Sequence, residues 1–292
     1  VSKVRGKKIL LSVRVPFTME GCTMKGLDVR QWVKEGLVDF VSIGAHWKGE
    51  TAMPVAKFRQ ELGDKNIPIY ASIDDGSYTP RDFHSHGAFR GMASHILSQG
   101  ADGLYLFNYY FGHLMTDLDG EMKIEDGGQV CRVMEPSLLK ELGSLETLKG
   151  RNKIYCESDG VTDTYGILQV GSLPLAVSDS RRSSANIYIG DKVSETVPEE
   201  AILFIRTDRP AKFKLEVNGV EVNDMRPDYP KLYDRYRGML GDDQVYAFVL
   251  PEGALRQGSN QVSFVSEHPM IFVVRRLEAA LKYGDVKTHG YF

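Results

Sequence analysis

The chain has little of what would place it at a glance. Its apolar runs, such as Ile9-Leu10-Leu11, are far shorter than the ~20 residues a membrane-spanning helix requires. It has three cysteines, Cys22, Cys131 and Cys156. That number is odd and low, which argues against a disulfide framework, although one bridge is allowed. No basic excess exists: 36 Lys and Arg stand against 39 Asp and Glu, a net charge of −3. With no basic stripe, nucleic acid and anionic membrane are not expected partners. There is no CxxC, HExxH, P-loop or G-x-S-x-G elbow. His84-Ser85-His86 has the form of a metal pair but falls in the first turns of a predicted helix. No metal and no cofactor are therefore expected. The 292 residues and 42% hydrophobic content suit an ordinary globular chain with room for two domains. The first residue is Val1 rather than Met, which leads us to expect that upstream sequence has been removed.

Four short β-branched runs occupy the first 108 residues: Ile9–Val15, Val38–Ile43, Ile67–Ile73 and Gly103–Phe107. Helical patterns separate them at a spacing of roughly 30 residues, as in parallel βα units. Asp28 with Gln31 opens the first helix and Gly36 closes it. Thr51 or Met53 opens the second, with Pro54 in its first turn and Gly63 after it. Thr79-Pro80-Arg81-Asp82 starts a third that runs to Gly100, with Phe89, Met92, Ala93, Ile96 and Leu97 as its apolar stripe. A fourth is expected over Ser137–Leu148, with Leu138, Leu139, Leu142 and Leu145 facing a core.

From about Tyr165 the helical period disappears. Ala201–Thr207, Lys212–Val217, Val245–Leu250, Gln261–Val265 and Met270–Val274 read as strands, with Asn218-Gly219 as a hairpin turn. Short strands at this spacing predict a β-sandwich over residues 161–292, after an α/β unit over 1–160. The stretch 223–243 reads as one long loop.

Parallel βα architectures bind ligands at the C-terminal ends of their strands. Strand alternation groups Ser12 with Arg14; Phe40 with Ser42, Gly44 and His46; Tyr70 with Ser72 and Asp74; and Leu104 with Leu106 and Asn108. Arg14, His46, Asp74 and Asn108 are thus expected around one mouth, with Trp47, Asp75, Tyr109 and Tyr110 beside them. Aromatic faces stack on a pyranose, polar side chains bond its hydroxyls, and a carboxylate can act on a glycosidic bond. The competing reading makes Asp74 or Asp75 a loop cap before Gly76, Trp47 a packed loop residue and Arg14 an internal ion-pair partner.

Gly26–Val41, Ile67–Ile73 and Gly100–Tyr110 resemble bacterial glycoside-hydrolase-like (β/α)8-barrel proteins, largely uncharacterised and often exported. Glu135–Tyr155 is similar to the link after that barrel. The segments LPLAV and KLEVNG are similar to the family's C-terminal β-sandwich. The resemblance implies that the four strands match strands five to eight of a TIM-type barrel, so that the chain is half a barrel followed by a sandwich. The missing half would come from upstream sequence or another chain. It implies a secreted or periplasmic protein that acts on carbohydrate. Asp74 falls where the large clan of retaining glycosidases holds its nucleophile, usually Glu, and the acid/base of strand four is not in this sequence. Three functional readings stand side by side. One is a glycoside hydrolase with Asp74 as its catalytic carboxylate and Arg14, His46, Trp47, Asp75, Asn108 and Tyr110 holding substrate. The second is a non-catalytic carbohydrate-binding or structural protein with a degenerate barrel. The third is a self-contained four-unit α/β domain. Glu20 and Glu50 are the remaining acids with access to the mouth.

Overall fold

The computed structural model describes residues 6–44, 53–63, 66–74, 86–107, 121–123, 130–132, 136–159, 162–163, 168–169, 171–179, 181–229 and 244–284. It is strand-rich, with several sheets and few helices. The first unit runs β1 (Ser12–Val15), α1 (Met19–Met24), α2 (Val29–Lys34), β2 (Phe40–Ile43), α3 (Val55–Leu62), β3 (Ile69–Asp74), α4 (His86–Ser98) and β4 (Gly103–Phe107). The four strands form one parallel sheet in the order β1-β2-β3-β4. This is the chain-ordered sheet that the sequence pattern predicts. It is an open sheet, and closure into half of a (β/α)8 barrel is not what it shows.

Local chemistry explains the elements. The Asp28 side chain accepts from the Gln31 amide at 3.1 Å and caps α2. Gly63 closes α3 at φ 81°, a left-handed conformation that favours glycine. An aspartate stands just before β2 and another just before β4, each clamping the strand that precedes it in the sheet. The Asp39 carboxylate accepts from the Leu11 amide at 2.8 Å, and its own amide donates to the Leu11 carbonyl at 2.7 Å. Asp102 does the same with Ile69, at 2.8 Å in both directions. Each aspartate also pairs with a cation, Lys8 and Arg59 respectively. The hydrogen bond from Lys8, followed by that from the Leu11 amide, holds the Asp39 carboxyl below its usual range. These clamps lie at the N-terminal ends of the strands and serve stability.

One face of the sheet packs under the helices. Val41, Ile43, Ile69, Ala71 and Ile73 are buried there against Phe58, Phe89, Met92 and Ile96, with Val13, Leu104 and Leu106 joining the same core. At the outer edge, Ile9, Leu10 and Leu11 are 46%, 61% and 57% exposed.

A short hairpin pairs β5 (Glu121–Lys123) with β6 (Val130–Arg132). The expected fourth helix is two single turns, α5 (Pro136–Leu139) and α6 (Leu145–Leu148). The break follows from Ser144, whose hydroxyl caps α6 reciprocally with Thr147. Leu138 and Leu142 are buried as expected, but Leu139 and Leu145 are each 42% exposed.

The remaining strands are β7 (Lys153–Ser158), β8 (Thr162–Asp163), β9 (Leu168–Gln169), β10 (Leu175–Val177), β11 (Ser183–Ile189), β12 (Glu200–Thr207), β13 (Phe213–Val217), β14 (Val220–Glu221), β15 (Asp224–Met225), β16 (Gln244–Val249), β17 (Gly258–Ser266) and β18 (Phe272–Lys282). One antiparallel sheet has the order β10-β18-β12-β16-β15, with β7 also on β18; another has the order β11-β17-β13-β14. The Asn218-Gly219 turn is present, both residues at positive φ. The two sheets share one apolar cluster, in which Leu203, Ile205 and Leu277 meet Ile187, Val217 and Phe264.

Helix α4 joins the two units because its sides differ. Phe89, Met92, Ala93 and Ile96 face the parallel sheet. Gly87, Gly91 and Ser94 face the antiparallel domain. A Cβ on Gly91 would stand 1.9 Å from the Ile154 carbonyl oxygen, and one on Gly190 would stand 2.5 Å from that of Ser94. Helix and strand backbones therefore meet with no side chain between them. His95 is buried at the same junction, with Nε2 3.1 Å from the Met53 carbonyl and its ring edge-on to Tyr188 at 4.7 Å. Burial lowers its pKa to about 4.

Two outcomes follow. Gly91→Ala forces α4 off β7 and is expected to cost about 3 kcal/mol in urea denaturation. His95 is neutral in the fold and titrates near 6.5 once unfolded, so its contribution is complete above pH 6.5. It is lost as pH falls towards 4, up to about 3 kcal/mol. The midpoint of denaturation should drop across that window, and His95→Gln should flatten the drop.

Candidate functional site

The site is built on the face of the parallel sheet opposite the helices. The parallel register aligns Arg14 with Ser42, Ser42 with Tyr70, and Tyr70 with Gly103. Further towards the C-terminal ends, Ser72 aligns with Tyr105 and Asp74 with Phe107. This corrects the expectation for β4. Leu104 and Leu106 belong to the helix-covered core, while Tyr105 and Phe107 stand on the face of Arg14. GLYLF is apolar at every position after its glycine, so alternation alone carries no phase; the pairing with Ser72 supplies it.

Among the described residues, the face is aromatic with one cation. The Arg14 guanidinium lies 3.9 Å from the centre of the Phe107 ring and 6.0 Å from that of Tyr105. A planar cation over an aromatic face is held without losing the use of its in-plane N–H donors. Tyr105 and Phe107 are tilted at 45° with centroids 6.2 Å apart, and Tyr105 is 39% exposed. Deeper on the sheet, Phe40 and Tyr70 meet edge-to-face at 5.3 Å. The Tyr70 ring lies over Gly103, where a Cβ would come within 2.7 Å of it.

Glycine also shapes the polar part. A Cβ on Gly44 would stand 2.6 Å from Ser72 Cβ, 3.1 Å from Ser72 Oγ and 3.2 Å from Arg14 Nη2. Ser72 is buried and its hydroxyl finds no hydrogen-bond partner. Residue 44 is glycine because its strand packs directly against Ser72 and Arg14, with no room for a side chain between them.

Of the sequence-predicted residues, Arg14 is on this face and Asp74 ends β3, its backbone paired with Phe107. The Asp74 side chain is outside the described residues, as are His46, Trp47, Asp75, Asn108 and Tyr110. Glu20 lies in the first turn of α1 and is exposed; Glu50 is outside the described residues. Tyr105 and Phe107 alternate with Leu104 and Leu106, and only the pairing register puts them on the face of the site. Among the described residues no group of three or more His, Cys, Asp or Glu is placed to hold a metal. Cys22 and Cys156 are buried free thiols. A separate cleft of about 560 Å³ lies in the antiparallel domain, bordered by Val197, Glu199, Glu200, Leu250 and Glu252.

Neither a protein-family model nor a curated protein matches the chain. Among solved structures, it is similar to the glycoside hydrolase BuGH86 in complex with neoagarooctaose, at 10% identity over 98% of this chain and a TM-score of 0.28. It is similar to BpGH86A, a β-porphyranase of glycoside hydrolase family 86 from the human gut bacterium Bacteroides plebeius, at 10% identity over 94% of this chain and a TM-score of 0.27. Dimeric latent PorU from Porphyromonas gingivalis matches over 47% of this chain, at 9% identity and a TM-score of 0.28. The chain spans 66%, 63% and 14% of these three proteins respectively. Likenesses at such scores carry no argument about fold or function.

Gly44→Ala tests the packing of this face. The added methyl meets Ser72 Cβ on the neighbouring strand, so thermal or urea denaturation should show a loss of about 1–3 kcal/mol.

Proposed function

We propose that the chain is a glycoside-hydrolase-like unit that takes carbohydrate at the C-terminal ends of β1 to β4. The observation that carries this reading is the Arg14 guanidinium stacked on Phe107 beside the exposed edge of Tyr105. Sugar recognition needs that pairing: an aromatic surface for the C–H face of a pyranose and fixed donors for its hydroxyls. Asp74 at the end of β3 is the carboxylate that acts on the glycosidic bond. His46, Trp47, Asp75, Asn108 and Tyr110 are the further substrate contacts. In this reading four more βα units, from the same polypeptide or a second chain, pair with both edge strands, β1 and β4, to complete a barrel. An α/β unit and a β-sandwich divide near residue 160, with β7 joining the sheet of β18 across that boundary. The protein works outside the cytoplasm.

Hydrolysis needs two carboxyls, about 5 Å apart in a retaining enzyme and about 6.5–9.5 Å apart in an inverting one. Asp74 supplies one, and the general acid comes from the completing strands. The chain alone is therefore expected to bind oligosaccharides without cleaving them. The test is a panel of aryl glycosides and oligosaccharides, given to this chain and to a form carrying the completing strands. The longer form should turn over at least one substrate, and Asp74→Asn should lower that rate by about 10²–10⁴-fold. Turnover by the chain alone that survives Asp74→Asn would overturn the assignment. Binding without turnover in either form would favour a degenerate barrel that only binds carbohydrate.

A further inference from the structure

We propose that Lys153 and Asp191 join in an intramolecular amide, a covalent cross-link between β7 and the turn after β11. The inference is independent of the carbohydrate reading. Three observations carry it. First, the reacting groups touch away from water. Lys153 Nζ lies 3.0 Å from Asp191 Oδ2, and the two side chains are 0% and 12% exposed. Burial disfavours the charged forms and so favours a neutral amine beside a neutral acid. It is the largest cause of the lowered pKa of Lys153, with Arg90 and Arg151 acting the same way and Asp191 against it. Second, the amine is aimed. Nζ also donates to the carbonyls of Leu148 and Arg151. A neutral amine has two N–H donors, so these carbonyls hold both and turn the lone pair to the side where Asp191 stands. Third, a hydroxyl holds each carboxyl oxygen. Ser94 Oγ donates to Oδ1 at 2.9 Å and the Tyr283 hydroxyl donates to Oδ2 at 2.8 Å. Burial followed by the Asp191 charge raises the pKa of Tyr283, which keeps it a donor.

The step balances with no further reactant. The ammonium passes one proton to Oδ2. Nζ then attacks Cγ, the Nζ–Cγ bond forms, and negative charge gathers on Oδ1, where the Ser94 hydroxyl meets it. The Cγ–Oδ2 bond breaks, and Oδ2 leaves as water with its own proton and one from Nζ. Nothing is oxidised or reduced. The amide retains one N–H for one of the two carbonyls. Asp191 borders a cleft of about 250 Å³ with Lys149, Gly190 and Gln257, which gives the water a way out.

The experiment is mass spectrometry of the full chain after prolonged incubation at neutral pH, with circular dichroism to verify that the incubated chain is folded. The intact chain should be lighter than its sequence by the mass of one water. A tryptic digest should give one branched peptide that holds both Lys153 and Asp191, with no cleavage after Lys153. Lys153→Arg and Asp191→Ala should each restore the sequence mass. Ser94→Ala keeps both reacting groups and should slow the loss of water by about tenfold or more. The decisive reading is on the wild type and needs no variant to fold: a folded chain at its full sequence mass would overturn the proposal. Loss of water that maps elsewhere, as a succinimide at an Asp-Gly pair such as Asp75-Gly76, would overturn it as well.

Discussion

The contact on which the rest of the structure depends is the backbone-to-backbone approach of α4 to β7, fastened by the carboxylate of Asp191. At Gly91 nothing but hydrogen separates the helix from the Ile154 carbonyl. Around it, Asp191 accepts from Ser94 Oγ at 2.9 Å, from Lys153 Nζ at 3.0 Å and from the Tyr283 hydroxyl at 2.8 Å. Its own amide donates to the Tyr155 hydroxyl at 3.1 Å, and that hydroxyl donates to Ser94 at 2.9 Å. Residues from α4, β7, the turn after β11 and the end of β18 thus converge on one residue. Because α4 carries the parallel sheet on its other side, this junction fixes where β3 and β4 stand relative to the antiparallel domain.

The junction is polar, and its energetics are those of a satisfied network. The Lys153 side chain is fully buried, a costly position for an ammonium. Burial lowers its pKa, and the nearby Asp191 carboxylate opposes that shift. Its donors are accounted for by Asp191 and by the carbonyls of Leu148 and Arg151. Burial followed by the same carboxylate raises the pKa of Tyr155 and of Tyr283, which keeps both as neutral donors. A second buried cation, Arg90, reaches Glu141 at 2.6 Å and the Asn152 carbonyl at 3.4 Å. Such a network is weak evidence for net stability, since apolar isosteres often do as well. Its strength is directional: each partner accepts one geometry, so α4 docks in one orientation, whereas an apolar seam beside two glycines would slide.

Much of this was legible in the sequence and some was not, for physical reasons. The four parallel strands, the cap at Asp28, the stop at Gly63 and the Asn218-Gly219 turn rest on local rules, which tertiary packing did not override. The stripe of Phe89, Met92, Ala93 and Ile96 was legible because a one-sided apolar helix has one solution. The opposite stripe, Gly87, Gly91 and Ser94, gives no hydropathy signal, because its role is the absence of side chains. The strand β11 is hard to read in sequence because its first half, Ser183-Ser184-Ala185-Asn186, is polar or small, and only Ala185, Ile187 and Ile189 are buried. At the site, Arg14 was legible as a polar residue at a strand end. Phe107 was not, because an apolar residue on an all-apolar strand has no readable face until a neighbour sets the register.

A parallel sheet is normally apolar on both faces, since helices or a barrel core cover each. Here one face follows that rule and the other carries Arg14, Ser42, Ser72 and four aromatic rings. Aromatic residues reconcile the two demands. Phe40 and Tyr70 fill the lower part of the face as a core would, the ring of Tyr70 seated on Gly103. Tyr105 and Phe107, one and two rows nearer the strand ends, present the same chemistry where Arg14 can lie on it. In the proposed reading, packing gives way to recognition along the strands without a change of residue type, and the glycines at 44 and 103 let neighbouring side chains approach the backbone closely. The clamps at Asp39 and Asp102 hold the other ends of the strands. The N-terminal edge of the sheet is accordingly committed to stability, and in the proposed reading the C-terminal edge is the one that meets ligand.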